Sequence, residues 1–210
     1  MKKYFIYILI AVVIVGIILF LFLRNNVFFK ETPSTISGTK LSTNINNVNN
    51  SENITDTEIS KEQEIASFST EIRDNSEGRV TNISITCSLL NNTIIGPGET
   101  FSFNEIVGQP SSARGYQEAT VIIDGEHETG IGGGNCQVSS TLYNAVLAVP
   151  YLTVTERSAH GLPVTYVPEG QDAAVSYGSL DLKFRNDGDK SIRIDMSSDG
   201  DIITANIIEL

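Results

Sequence analysis

G-I-G-G-G-N-C-Q-V-S-S-T-L-Y-N-A-V-L, residues 130–147, governs how the rest of the chain is read, because a glycine cluster runs directly into a cysteine and then into a helix-patterned segment. Gly132, Gly133 and Gly134 free the backbone to turn sharply or to bring its amides close to another group. From Cys136 the spacing is helical: Val138, Leu142, Ala145, Val146 and Val149 share one stripe, Gln137, Ser140, Thr141 and Asn144 fall on the other side, and Pro150 ends the element. Cys136 is therefore expected in the first turn of a helix, where unpaired N–H groups and the positive dipole end favour an anionic sulfur. The same pattern suits a small cysteine that only fills space ahead of a buried helix.

Working outward towards the amino terminus, residues 4–23 form an uninterrupted apolar run without a charge. That length matches the roughly 20 residues a helix needs to cross a bilayer. Lys2 and Lys3 precede it and Arg24 and Lys30 follow more sparsely, which favours an inside amino terminus and an extracytoplasmic remainder. The run lacks the small-residue cleavage site of a signal peptide, so residues 1–30 are predicted to be an uncleaved single-pass anchor with its flanks. Residues 31–64 are rich in Ser, Thr, Asn, Asp and Glu and show no sustained hydrophobic period, the composition of a disordered tether. A random coil of that length spans on the order of 30 Å.

The folded domain is predicted over residues 65–210. I-A-S-F-S-T-E-I (65–72) alternates as a strand; Val80, Ile83, Cys87 and Leu90 follow helical spacing up to Asn91-Asn92, which puts Cys87 in the core. A strand at 93–95, a turn at Pro97-Gly98, and apolar anchors Phe101, Phe103 and Ile106 around Asn104 follow. Residues 119–123 and 126–130 flank Asp124-Gly125 and read as a hairpin leading to the glycines. Strands are expected at 152–156, 163–167, 173–177, 180–184, 192–196 and 202–208. The fold class is α+β: a single compact domain with a mainly antiparallel sheet and two helices, preceded by one transmembrane helix and a disordered linker.

With 14 basic and 25 acidic residues the net charge is −11, which argues against a nucleic-acid surface. Two cysteines are too few for a disulfide framework, although one Cys87–Cys136 bridge is chemically permitted outside the cytosol. His127, flanked by charges on the hairpin arm, reads as solvent-facing. A zinc site from His127, Cys136 and His160 would lack any paired ligand motif, so no metal or cofactor is expected.

P-G-E-T-F-S-F-N (97–104), G-I-G-G-G-N-C-Q-V-S-S-T-L-Y-N-A-V (130–146), H-G-L-P-V-T-Y-V-P-E-G-Q-D-A-A-V-S-Y-G (160–178) and D-L-K-F-R-N (181–186) closely resemble the VanW-domain family over roughly residues 65–196. The resemblance implies a bacterial cell-envelope protein with a link to glycopeptide resistance. One departure is Asn135, where the family usually carries Ile before the cysteine.

Cysteine hydrolases and acyl transferases need a thiolate, an imidazole to activate it, and a polar group to orient that imidazole. Cys136, His160 and Asp172 are the candidates, expected to converge on the mouth of a cleft, with oxyanion donors among the backbone amides of residues 134–137 and help from the Gln137 side chain. Substrate contacts are expected from Gly132, Gly133, Gly134, Gln137, Ser140, Tyr143 and Tyr166. Turn residues explain His160 and Asp172 equally well. The overall expectation is a membrane-anchored extracytoplasmic protein acting on peptidoglycan or its stem peptides. The alternative is a non-catalytic envelope module whose glycine loop binds an anionic group while Tyr143 and Tyr166 line a groove.

Overall fold

The computed structural model describes residues 61–123 and 126–210. The predicted anchor at residues 1–30 and most of the predicted tether lie outside these residues. Among the described residues, no helix is long and apolar enough to cross a membrane. The first strand begins at Gln63, two residues before the predicted domain start.

Thirteen elements lie among the described residues. They are β1 (Gln63–Glu71), α1 (Glu77–Leu90), β2 (Thr93–Ile95), β3 (Thr100–Ser102), α2 (Phe103–Val107), a 3₁₀ turn (Ser112–Arg114), β4 (Glu118–Ile123), β5 (Glu126–Ile131), α3 (Asn135–Leu147), β6 (Leu152–Glu156), β7 (Lys183–Asn186), β8 (Ile192–Ser198) and β9 (Ile202–Glu209). The architecture is a compact α+β domain in which every strand pair is antiparallel. A four-stranded sheet runs β1-β9-β8-β2, a three-stranded sheet runs β3-β7-β6, and β4-β5 form a separate hairpin.

The larger sheet buries one face. Ile203, Ala205 and Ile207 on β9 and Ile192 and Ile194 on β8 alternate inwards and are fully buried, while the residues between them are more open. On β1 the inward set is Ala66 and Thr70, with Phe68 half-buried between them; a bulge between Glu64 and Ala66 lets Ile65 and Ala66 both turn towards the core. α1 packs on β8 and α3 on β1 and β9. The smaller sheet is fastened by Phe101 and Phe184, direct partners across β3-β7, whose rings stack with centroids 4.8 Å apart.

The stripe read from α3 is in the core: Val138, Leu142, Ala145 and Val146 have no exposed surface. Each large side chain so buried contributes on the order of 2 kcal/mol. The other side of α3 departs from expectation, because Gln137, Ser139, Ser140, Thr141 and Asn144 are buried too. Their polar atoms are met by hydrogen bonds to β1 and to the segment after β6, as buried polar groups require.

Three predicted strands do not form as read. Residues 163–167 are irregular, 173–177 make only the isolated bridges Ser158↔Ala174 and Ser176↔Leu180, and the strand expected at 180–184 is displaced to Lys183–Asn186. The 173–177 stretch finds its partners on α3 rather than in a ladder, and around 163–167 Pro163 and Pro168 remove donors a ladder would need. The count of two helices also falls short. α2 is a third, short helix, signalled by S-F-N-E (102–105), in which Ser102 Oγ accepts the Glu105 N–H at 3.1 Å.

Candidate functional site

The glycine cluster sets the geometry of the site. Gly132 and Gly134 have φ of +91° and +112°, a region that side-chain-bearing residues rarely adopt. Gly133 is required for a different reason, since a Cβ there would come within 2.5 Å of the Thr120 carbonyl oxygen on β4. Pressed against the hairpin in this way, the chain makes one tight turn, Asn135 N–H to Gly132 O at 3.2 Å, and enters α3 with Cys136 as its second residue. Among the described residues, the N–H groups of Gly133, Gly134 and Cys136 find no protein acceptor.

The segment after β6 brings the other two groups. Ser139 Oγ donates to the Ala173 carbonyl at 2.6 Å, Ala173 N–H donates to Ser140 Oγ at 2.9 Å, and Asn144 Nδ2 donates to the Gln171 carbonyl at 2.8 Å. These bonds hold residues 171–175 along α3, with Asp172 in the middle. Asp172, 7% exposed, accepts from His160 Nδ1 at 2.6 Å and from the His160 backbone N–H at 2.7 Å through Oδ2, and from Arg157 Nη2 at 2.8 Å through Oδ1. Arg157 is itself steadied over the Tyr143 ring, 5.4 Å from its centroid.

Burial works against charge on Asp172, but the His160 and Arg157 bonds outweigh it and hold the carboxyl below its usual range. With Asp172 ionised, His160 Nδ1 carries the hydrogen, which leaves Nε2 as the acceptor nitrogen of the neutral ring. Burial likewise disfavours the imidazolium, yet the hydrogen bond and negative charge offered first by Cys136 and then by Asp172 raise the His160 pKa above its ordinary value. The Cys136 sulfur is half-buried, 3.4 Å from Val175 O and 3.5 Å from Val175 N. Cys136, His160 and Asp172 thus stand in sequence: thiol and imidazole line a cleft of about 410 Å³, and the carboxylate lies behind the ring.

The remaining expected site residues divide. Gly132, Gly133, Gly134 and Tyr166 line the cleft. Burial, followed by the nearby Cys136 charge, raises the Tyr166 pKa and keeps its hydroxyl neutral. Gln137 reaches the cleft wall, but its side chain is fully engaged: Oε1 accepts from Arg79 at 2.7 Å, and Nε2 donates to Thr70 Oγ1 at 3.1 Å and to the Glu71 carbonyl at 2.8 Å. It is not available as an oxyanion donor. Ser140 and Tyr143 are not among the cleft residues; Ser140 fastens the Asp172 segment and Tyr143 backs Arg157.

Asn135 is one of the cleft residues, and its Oδ1 accepts from Thr86 on α1 at 2.7 Å in a buried cluster that also includes the Tyr116 hydroxyl. Cys87 and Cys136 are both free thiols. Cys87 is 2% exposed, and burial pushes its pKa up to about 12. The His127 side chain lies outside the described residues.

Sequence reading missed two residues that matter here. Arg157 follows directly on the strand expected at 152–156, and its carboxylate partner Asp172 is too far along the chain for a local pattern to link the two. Arg79, on the first turn of α1, lines the cleft from 57 residues before the cysteine, and no local pattern links the two.

A family model described as "VanW like protein" matches residues 78–208, which include every residue of this site. An uncharacterized protein, YoaR, of Bacillus subtilis (strain 168) is 41% identical over 132 residues, covering 63% of this chain and 43% of that protein. The vancomycin B-type resistance protein VanW of Enterococcus faecalis (strain ATCC 700802 / V583) is 35% identical over 136 residues, covering 62% of this chain and 49% of that protein. The chain therefore spans less than half the length of each of these relatives. No solved structure matches it. With the family pattern running from α1 to β9 through the glycine turn, Cys136, His160 and Asp172, the chain belongs to the VanW-like protein family.

Proposed function

We propose that this protein is a membrane-anchored, extracytoplasmic cysteine hydrolase or acyl transferase that acts on peptide bonds of cell-wall peptides. The observation that carries the reading is the 2.6 Å bond that Asp172 accepts from His160 Nδ1, with the imidazole and the Cys136 thiol lining one open cleft. In the reaction the Cys136 sulfur attacks a carbonyl carbon and forms a C–S bond. The C–N bond then breaks, the imidazolium giving its proton to the departing amine. Water, deprotonated by His160, or a second amine next displaces the thiolate, breaking the C–S bond and restoring the enzyme. The unpaired N–H groups of Gly134 and Cys136 are the donors proposed for the developing oxyanion. The resistance setting is taken from the name of the Enterococcus relative, and cell-wall peptides are the substrate class proposed to go with it.

The test is the rate at which a neutral alkylating reagent modifies Cys136 between pH 5 and 8. The His160 pKa stands above its ordinary value, so the ring holds its proton to higher pH than a free imidazole does and is set to serve as the base of the pair. His160→Ala is expected to slow labelling near pH 7 by about a hundredfold. Equal rates for the two proteins would remove the activated nucleophile and leave the non-catalytic binding module.

The anchored orientation draws support from the apolar run at 4–23 with Lys2 and Lys3 before it. A reporter fused after Leu210 should be active only if it functions outside the cytoplasm. Activity of a cytoplasm-restricted reporter would reverse the topology.

A further inference from the structure

Arg79 enters the cleft wall from the first turn of α1, its stem packed on the glycine turn: a Cβ on Gly134 would sit 3.4 Å from Arg79 Cγ. Its one hydrogen bond among the described residues goes to a neutral partner, Gln137 Oε1, which is itself pinned through its amide nitrogen to Thr70 and Glu71. No carboxylate among the described residues forms an ion pair with it; Asp74 feels its attraction from beyond pairing distance. Arg79 Nε is buried and makes no hydrogen bond, and no other buried side-chain nitrogen or oxygen among the described residues is in that condition. The charge pattern of the cleft agrees with this, because Arg79 and His160 are its basic lining residues and no Asp or Glu lines it, in a chain of net charge −11.

A guanidinium held in place by a neutral amide keeps its whole charge and an uncommitted part of its donor fork. In a partly desolvated wall that arrangement is costly unless an anion completes it, and a carboxylate fits the fork best. The turn that Arg79 packs against lies two residues before the thiol, so a carboxylate at Arg79 sits next to whatever carbonyl Cys136 faces. Tyr166 is within electrostatic reach of both groups, which places them around one space.

Building on the cysteine-nucleophile reading, we infer that Arg79 is the specificity residue of this cleft and that the site takes peptides carrying a carboxylate beside the bond presented to Cys136. Two sources supply that chemistry: a free α-carboxylate at a peptide carboxyl terminus, or an acidic side chain.

The experiment compares iodoacetate with iodoacetamide as alkylating agents of Cys136 on the full chain, with Cys136 separated from Cys87 by peptide mapping. The iodoacetate-to-iodoacetamide rate ratio for the wild type is expected to exceed that of Arg79→Gln by about tenfold at low ionic strength, and to fall as salt is added. An unchanged ratio in a folded Arg79→Gln protein overturns the inference. Should that variant not fold, protection of the wild type against iodoacetamide decides instead. N-acetyl-Gly-Gly is set against its carboxamide, and N-acetyl-glutamate amide against its glutamine counterpart. Protection by the acid alone in the first pair assigns an α-carboxylate, and in the second pair a side-chain carboxylate. Equal protection within both pairs, or none, overturns the inference. Failure of the nucleophile reading has a separate signature, equal rates for wild type and His160→Ala with both reagents, which leaves the charge ratio at Arg79 readable.

Discussion

Asp172→Ala is expected to lower the stability of the domain by about 3 kcal/mol, because it leaves the His160 N–H groups without their acceptor in a largely buried place, and leaves the Arg157 guanidinium, still bonded to the Gly170 and Asp172 carbonyls, without its counter-charge. The chain has no tryptophan, so the loss is best followed by far-UV circular dichroism in urea. With an m-value of about 2 kcal/mol/M, the midpoint should fall on the order of 1.5 M. The pH dependence separates this ion pair from ordinary packing. Asp172 titrates below its usual value in the folded state, so its contribution is complete above the unfolded carboxylate pKa, near 4, and is lost as pH falls through the folded value. His160 titrates above its usual value, so its contribution is complete below about pH 6.5 and is lost as pH rises through the folded value. The gap between wild type and Asp172→Ala should therefore be widest from about pH 4 to 6.5. It should close on the acid side and narrow on the alkaline side to what Arg157 and the His160 backbone N–H retain. A gap independent of pH would mean that Asp172 acts only by filling space.

The parts of the domain legible in the sequence are those where one local rule decides. The antiparallel pairing of β4 with β5, the start of α3 after the glycines, and the burial of Cys87 each follow from a turn dipeptide or a 3.6-residue period, and the structure has all three. What could not be read is the segment from Arg157 to Leu182. Its alternating valines, alanines and tyrosines look like strands, but its backbone is held by Ser139, Ser140 and Asn144 of a helix whose polar side was expected to face away from the core. A side-chain hydroxyl that replaces a neighbouring strand leaves no period in the sequence. For the same reason Cys136, His160 and Asp172 could be singled out from residue type and order, while the partners of Ser140, Tyr143 and Gln137 could not. Each of those three is taken up by a partner far along the chain: Ala173 for Ser140, Arg157 for Tyr143, and Arg79, Thr70 and Glu71 for Gln137.

Replacing Cys136 should separate chemistry from folding. Cys136→Ala removes one half-buried sulfur whose contacts are the Val175 N–H and carbonyl at the edge of the cleft, where water can take its place. The three groups that hold the Asp172 segment, Ser139, Ser140 and Asn144, stay intact. The expected cost in stability is below about 1 kcal/mol, within the range of substitutions that open no cavity and break no buried pair. Turnover of any peptide the cleft accepts should nevertheless fall on the order of 10⁴-fold or more, because a lost nucleophile disables the whole thiol-imidazole-carboxylate unit. Cys136→Ser sharpens the comparison. A hydroxyl keeps a donor and an acceptor for Val175 and is close to the thiol in size, but His160 and Asp172 are set to serve an easily ionised sulfur and not an alkoxide, so it should fold like the wild type and be nearly as inactive as alanine. If Cys136→Ala retained the wild-type effect on cell-wall peptides, the sulfur would be a packing atom, and the cleft with Arg79 at its wall would be a place where peptides are bound and not cut.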